Sequence, residues 1–237
     1  MNGHLWVYLQ TAPLFWLTTT LAAYLIADSL GRWAGRHPIV NPVLIAVILI
    51  IMILRTTGTA YKTYFEGAQF VHFLMGPATV SLGLPLYKNW NLVRKHFLPI
   101  IAALLIGALV AALSALAVAK LGHVPRGGLI SLSFKSTTVG VAMAASEKLG
   151  GLPSLTAVCV MFTGITGAIL ITPLMNALKV RDFAARGFAV GLASHGIGTA
   201  RALSVDPIAG AFAGIAMGLN TVVTPMLVPL ILPWFVR

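Results

Sequence analysis

Two polar stretches in an otherwise apolar chain hold the residues that could do chemistry. The first runs Gly127-Gly128-Leu129-Ile130-Ser131-Leu132-Ser133-Phe134-Lys135-Ser136-Thr137-Thr138-Val139-Gly140 and sets an ammonium beside three consecutive hydroxyls. The second, Ala193-Ser194-His195-Gly196-Ile197-Gly198-Thr199-Ala200-Arg201, sets an imidazole, a guanidinium and two hydroxyls among glycines. A helix starting at Ser136, Thr137 or Thr138 has a hydroxyl cap. The positive end of its dipole and its free N–H groups then lie next to Lys135, a combination that attracts a carboxylate or phosphate. The plainer reading is that Lys135 snorkels to a lipid headgroup and the hydroxyls only cap.

In the second stretch, a continuous helix puts Ser194, Gly198 and Arg201 at i, i+4 and i+7, and His195 and Thr199 at i, i+4. Both sets then address one cavity from adjoining faces. His195 admits two fates, direct contact with a ligand or a neutral imidazole satisfied by a backbone carbonyl. Arg201 cannot shed its charge, so it meets water, a carboxylate or a solute, or else it is a loop arginine near Asp206.

The elements that must position these groups follow from composition. Of 237 residues 58% are hydrophobic and 9% charged, and several apolar runs reach the roughly 20 residues that a helix needs to cross a hydrocarbon core of about 30 Å. Runs such as Leu44 to Leu54 are apolar on every face, which suits spanning helices and not the alternating strands of a barrel. The expected fold is an all-α polytopic membrane protein with about 6–8 transmembrane segments. Candidate segments are 12–30, 39–54, 73–88, 97–119, 127–147, 153–178, 187–204 and 208–235. The net charge of +11 falls in short Lys/Arg clusters between the apolar runs, which points to lipid headgroups and not to nucleic acid. The N-terminus, Met1 to Gln10, lacks a basic n-region and reads as uncleaved. Cys159, the single cysteine, excludes an intrachain disulfide and reads as core packing. The five acidic residues, Asp28, Glu66, Glu147, Asp182 and Asp206, lie near segment ends and support neither paired-carboxylate hydrolysis nor a metal site. No enzyme activity, cofactor or metal is expected.

Asn41-Pro42 reads as an N-cap followed by proline at the first helical position, and Leu152-Pro153 begins a later helix in the same way. Both prolines open the string Pro-x-Leu-x-Ala-Val, at 42 and again at 153. This offset of 111 residues carries the run at Phe97 onto the run near Ile208, which suggests two repeats, 1–122 and 123–237, within a single domain spanning 1–237. The arrangement is common in secondary transporters, where such repeats are often inverted. The third and seventh segments correspond under the offset. The third holds Gly76-Pro77, Gly83 and Pro85, and the seventh holds Gly187, Gly191, Gly196 and Gly198. Glycine costs a helix about 1 kcal/mol per position and proline about 3, so both segments are expected to be broken or re-entrant and to meet near mid-membrane. Asn41, Pro42, Pro77, Pro85, Gly196 and Gly198 are the candidate break or gating positions.

At these motifs the chain resembles the LrgB/CidB family, which includes bacterial antiholin-like membrane proteins and the LrgB-like half of the plastidal glycolate/glycerate translocator. The matching strings are Asn41-Pro42 with the following Leu-Ile-Ala, Pro77 with Pro85-Leu86-Tyr87, Lys135-Ser136 with Thr137-Thr138, Gly151-Leu152-Pro153 with Ala157-Val158-Cys159, and Ala193-Ser194-His195 through Gly198-Thr199-Ala200-Arg201. One departure stands among them, since Val139 occupies the place after the paired threonines where the family pattern has proline. The resemblance implies an integral protein of a bacterial cytoplasmic (inner) membrane and two different roles. One is transport of small monocarboxylates of the pyruvate, glycolate and glycerate class. The other is antiholin-like regulation of murein hydrolase activity and autolysis with an LrgA/CidA-type small membrane partner. The buried cations, hydroxyls and broken helices favour the first. Its expected binding set is Lys135, Ser136, Thr137, Thr138, Ser194, His195, Thr199 and Arg201 around one anion-accepting cavity. H+ or Na+ could serve as coupling ion, and a homo-oligomer is compatible with either role.

Overall fold

The computed structural model describes residues 13–35, 37, 40–74, 77, 87 and 90–236, and all regular structure among them is helical. The contacts divide into two compact units, Met1–Ser81 and Leu82–Arg237. Four described helices are long and apolar enough to cross a membrane: α1 (Pro13–Trp33), α5 (Phe97–Leu121), α8 (Pro153–Ala177) and α10 (Pro207–Ile231).

In the first unit, α1 packs against α2 (Pro42–Thr57) and α3 (Tyr61–Phe73). Trp16 is fully buried and meets Tyr64 edge-on at 5.8 Å, while Gly67 lies so close to the Pro13 carbonyl and Trp16 that a Cβ would collide with both. The start of α2 is as the sequence predicts. Asn41 Oδ1 accepts from the N–H groups of Val43 and Leu44 at 2.9 and 3.2 Å, and Pro42 occupies the first turn. These two residues begin a helix that then runs unbroken to Thr57, so they act here as a cap and not as a break. Glu66 is exposed on α3. The third expected segment, 73–88, is described only at Phe73, Leu74, Pro77 and Tyr87, all exposed, and its Gly76, Gly83 and Pro85 lie outside the described residues.

The second unit begins with the short α4 (Trp90–Lys95) and with α5. On α5 the buried residues Ile100, Leu104, Ala108, Ala112, Leu116 and Ala119 recur every three or four positions and form one stripe. Its other faces carry Leu98, Ile106 and Val110 well exposed, which suits hydrocarbon and not water. α6 (Arg126–Ser133), α7 (Val139–Lys148) and α8 follow, then α9 (Phe183–Val205), α10 and the terminal turn α11 (Pro233–Val236).

Two helical hairpins dominate this unit. α6 and α7 are separated by the non-helical residues 134–138, and α7 returns to where α6 began. Ser131 Oγ accepts from the Leu152 N–H at 2.9 Å, and Gly151 sits against Ser146 and the Ile130 side chain. α9 was expected to be broken or re-entrant, and it reverses. His195 takes φ 41°, ψ −135°, and Gly198 lies 2.9 Å, measured from a notional Cβ, from the carbonyl of Val190. Those residues would be about 12 Å apart along a straight helix. The glycines decide this outcome: Gly198 lets the returning arm (196–205) lie against the outgoing arm (183–194), and a side chain there would strike Val190 and Ser194.

Each hairpin is followed at once by a long helix of 25 residues begun by proline, α8 at Pro153 and α10 at Pro207. The two helices run in opposite directions. Val160 of α8 shares a buried cluster with Val228 and Ile231 of α10 and with Ile130 and Phe134 of the first hairpin. Ile171 of α8 packs on Ala209 and Ala213 of α10 and on Val190 and Ala202 of the second hairpin. The first hairpin therefore packs at one end of the α8–α10 pair and the second at the other, with their tips pointing toward each other. On the 111-residue offset, α5 and α10 correspond and are both 25 residues long, whereas unbroken α1 corresponds to the broken α6–α7.

Candidate functional site

The tip of the first hairpin is polar because its backbone is not helical. Ser136 and Thr137 are buried there, and Lys135 is half-buried and donates from Nζ to Ser136 Oγ at 3.1 Å. α7 begins at Val139 with Thr138 at the capping position in an extended conformation, and no side chain caps it. The expectation of a hydroxyl cap is corrected accordingly. Thr138 Oγ1 lies 3.5 Å from Thr221 Oγ1 of α10 instead, and with no side-chain cap the first N–H groups of α7 are open to a ligand. Gly140 has open space where a Cβ would be and is exposed, so this helix start faces an accessible region. Thr137 Oγ1 is buried without a hydrogen-bond partner among the described residues. A buried unmade hydrogen bond costs about 1–3 kcal/mol, so such an atom is a natural ligand contact.

The tip of the second hairpin is the single residue His195, held against α8. Its Nε2 is 2.9 Å from the carbonyl oxygen of Val160, so of its two sequence-level fates the satisfied imidazole is the one the structure contains. Gly164 of α8 makes room for that ring, since a Cβ there would lie 2.6 Å from Cε1. One turn further, Gly167 accommodates the Ser194 side chain, whose buried Oγ has no partner among the described residues. Thr199 Oγ1 donates to the His195 carbonyl at 2.8 Å and approaches Met217 Sδ at 3.8 Å. Gly196 is exposed, and the returning arm starts there with its own helix N-terminus at the tip. Lys135 is close enough to His195 and to Cys159 on α8 to interact with both electrostatically. Cys159 is half-buried, which corrects its reading as core packing.

The reversal at His195 removes the continuous face expected for Ser194, Gly198 and Arg201. Ser194 is on the outgoing arm, while Gly198 and Arg201 are on the returning one. The structure brings Lys135, Ser136, Thr137 and Thr138 together at one tip and Ser194, His195 and Thr199 at or near the other. Arg201 sits six residues beyond His195, lining a small cavity of about 30 Å³ at the open end of the second hairpin with Arg186, Phe183 and Val190. A wider groove of about 840 Å³ runs between α5 and the outgoing arm, from His96 and Arg181 to Leu192 just before the tip.

Sequence reasoning found α10 as an apolar run but missed the part that Asn220 plays at the tips. Asn220, 1% exposed, donates from Nδ2 to the Ser136 carbonyl at 2.9 Å and to the Leu192 carbonyl at 3.2 Å, while its Oδ1 accepts from Thr224 Oγ1 at 2.7 Å. The signal was present: an amide with a threonine at i+4, midway along the last apolar run.

These elements define a class: a membrane protein, helical throughout its described residues, whose second unit holds two opposed hairpins with polar tips. The chain belongs to the LrgB-like family, whose model matches residues 20–234. It is 35% identical to the uncharacterized protein YxaC of Bacillus subtilis over 90% of this chain and 92% of that protein. It is 31% identical to the holin-like protein CidB of Staphylococcus epidermidis, over 96% of this chain and 98% of the relative. With the antiholin-like protein LrgB of Bacillus cereus the identity is 27%, over 94% and 96% of the two chains. No solved structure matches it.

Proposed function

We propose that the chain transports small organic monocarboxylates of the pyruvate, glycolate and glycerate class across a bacterial cytoplasmic membrane. The observation that carries this reading is the tip of the first hairpin, where an ammonium and a buried hydroxyl without partner adjoin an uncapped helix N-terminus. A carboxylate satisfies all three at once. It neutralises Lys135, accepts from Thr137 Oγ1, and accepts from the free N–H groups of α7 along the favourable direction of the helix dipole. The opposed tip adds a second helix N-terminus at Gly196, with His195 beside it. Non-helical backbone at bilayer depth is tolerated where it is buried in protein or lines a wet cavity, and opposed broken helices are the usual frame of alternating-access sites. Arg201, at the mouth of the second hairpin, attracts the anion before it reaches the tips. We extend the duplication to the whole chain, with 1–122 and 123–237 as inverted halves spanning the bilayer about 6–8 times.

A second reading draws on the names of the relatives. Holin-like CidB and antiholin-like LrgB favour a regulator of murein hydrolase activity that works with a small LrgA/CidA-type membrane partner. Uptake of labelled pyruvate, glycolate and glycerate into proteoliposomes holding the purified chain alone separates the two. Saturable uptake that is lost in Lys135→Ala supports transport. Absence of uptake for all three solutes overturns transport by this chain alone and leaves the regulator.

A further inference from the structure

We propose that Asn220 is a positioning residue that ties the two hairpin tips into one unit and thereby sets the spacing of the anion site. In a 25-residue apolar helix its amide is buried and uses both N–H groups, one on each hairpin. The two carbonyls it holds are those left over by the broken helices. Ser136 lies in the non-helical link of the first hairpin, and the Leu192 carbonyl precedes the turn at His195, which diverts the chain that would have supplied its i+4 donor. The orientation of the amide is settled by its partners, because exchanging Nδ2 and Oδ1 would aim an oxygen at two carbonyl oxygens. Thr224 holds the other end of the amide in place.

The geometry makes this more than local satisfaction. Both carbonyls are within 3.2 Å of one nitrogen, so they lie no more than about 6 Å apart although 56 residues separate them in the chain. Met217 and Thr221, at i−3 and i+1 on the same helix, reach Thr199 of one hairpin and Thr138 of the other, so this stretch of α10 is the shared backing of both tips. The tether itself stands on these contacts. The effect on anion affinity rests on the transport reading.

The test uses the full chain in detergent and two variants, Asn220→Ala and Thr224→Val. Hydrogen exchange followed by mass spectrometry reads residues 133–140 and 191–198 separately. In Asn220→Ala both stretches should exchange about tenfold faster, while α1 and α5 keep their rates. Thr224→Val keeps both carbonyl bonds and should move the same two stretches together by a smaller factor, and it decides the matter if Asn220→Ala does not fold. Acceleration of one stretch only, of neither, or of every helix alike overturns the tether. In parallel, the native Cys159 thiol is modified with N-ethylmaleimide in the presence of sodium pyruvate or glycolate. The concentration giving half-protection should rise about tenfold in Asn220→Ala. If both tips loosen together but neither anion protects Cys159 in the unaltered chain, the tether stands and the transport reading falls. If the anions protect equally well with and without the amide, Asn220 does not set the site.

Discussion

The two hairpins solve one problem in different ways. The first reverses through five non-helical residues, 134–138, and its tip keeps a half-buried lysine and hydroxyls with capacity to spare. The second reverses at one residue, His195, in a conformation with φ 41° that side chains rarely adopt, and its ring is locked onto the Val160 carbonyl across the gap left by Gly164. A long polar turn can rearrange around a ligand, whereas a one-residue turn wedged against a helix cannot. On the proposed transport function, the first tip is the one that grips an anion and the second is the wall it is gripped against. Backbone strain of this kind costs of order 1–3 kcal/mol and persists only where packing enforces it.

Substitutions at five positions break or sharpen that division. Lys135→Ala should have the largest effect, a loss of about 1.5–3 kcal/mol of carboxylate affinity, or roughly ten- to a hundredfold, with the melting temperature in detergent unchanged. A ligand titration that finds wild-type affinity would remove the gripping role from the first tip. Gly164→Ala should act on stability instead. The added methyl meets the His195 ring, and overpacking of about 1–3 kcal/mol lowers the unfolding midpoint. Gly140→Ala, with open space at the first tip, should keep the midpoint or raise it, by up to about 1 kcal/mol of stability. Equal behaviour of the two glycine variants would mean that the second hairpin is not wedged.

Arg201→Ala should weaken apparent uptake affinity by less than about tenfold, under 1.4 kcal/mol, because Arg201 stands at the open end of its hairpin and not at the tip. A loss matching that of Lys135→Ala in equilibrium binding would return Arg201 to the binding site. A further comparison lies at the turn itself. His195→Gly and His195→Ala both lose the bond to Val160, but glycine accepts positive φ without strain, so the glycine variant should be the more stable by about 1 kcal/mol in thermal unfolding. Equal midpoints would show that the turn relaxes once the imidazole is gone.

Much of this was legible in the chain. Apolar runs of the required length mark α1, α5, α8 and α10, because burial in hydrocarbon demands an unbroken stretch whatever the neighbours are. Asn41-Pro42 and Pro153 announced helix starts, since capping is a local interaction between near neighbours. The polar tips stood out as hydroxyls, Lys135 and His195 in apolar surroundings, where such groups are costly without a purpose. The density of glycine in 187–198 also announced that this helix would not run straight.

What local signals could not supply was the direction of the chain after each break. A helix interrupted at His195 can kink, step or reverse at similar local cost. The choice of reversal was made by Gly164, Gly167 and Gly198, which leave room for the His195 ring, the Ser194 side chain and the outgoing arm respectively. The same reversal moved Arg201 away from the tip, against the helical spacing that had placed it with Ser194. Asn220 escaped notice for a related reason: an amide in an apolar helix shows that something polar must meet it, not which carbonyls will. Composition and periodicity determined that this protein is a bundle of membrane helices with polar interruptions, because those are properties of each segment alone. Only the tertiary structure decided that the interruptions face one another, because the hydrogen bonds that join Ser136, Leu192 and Asn220 connect residues far apart in the chain.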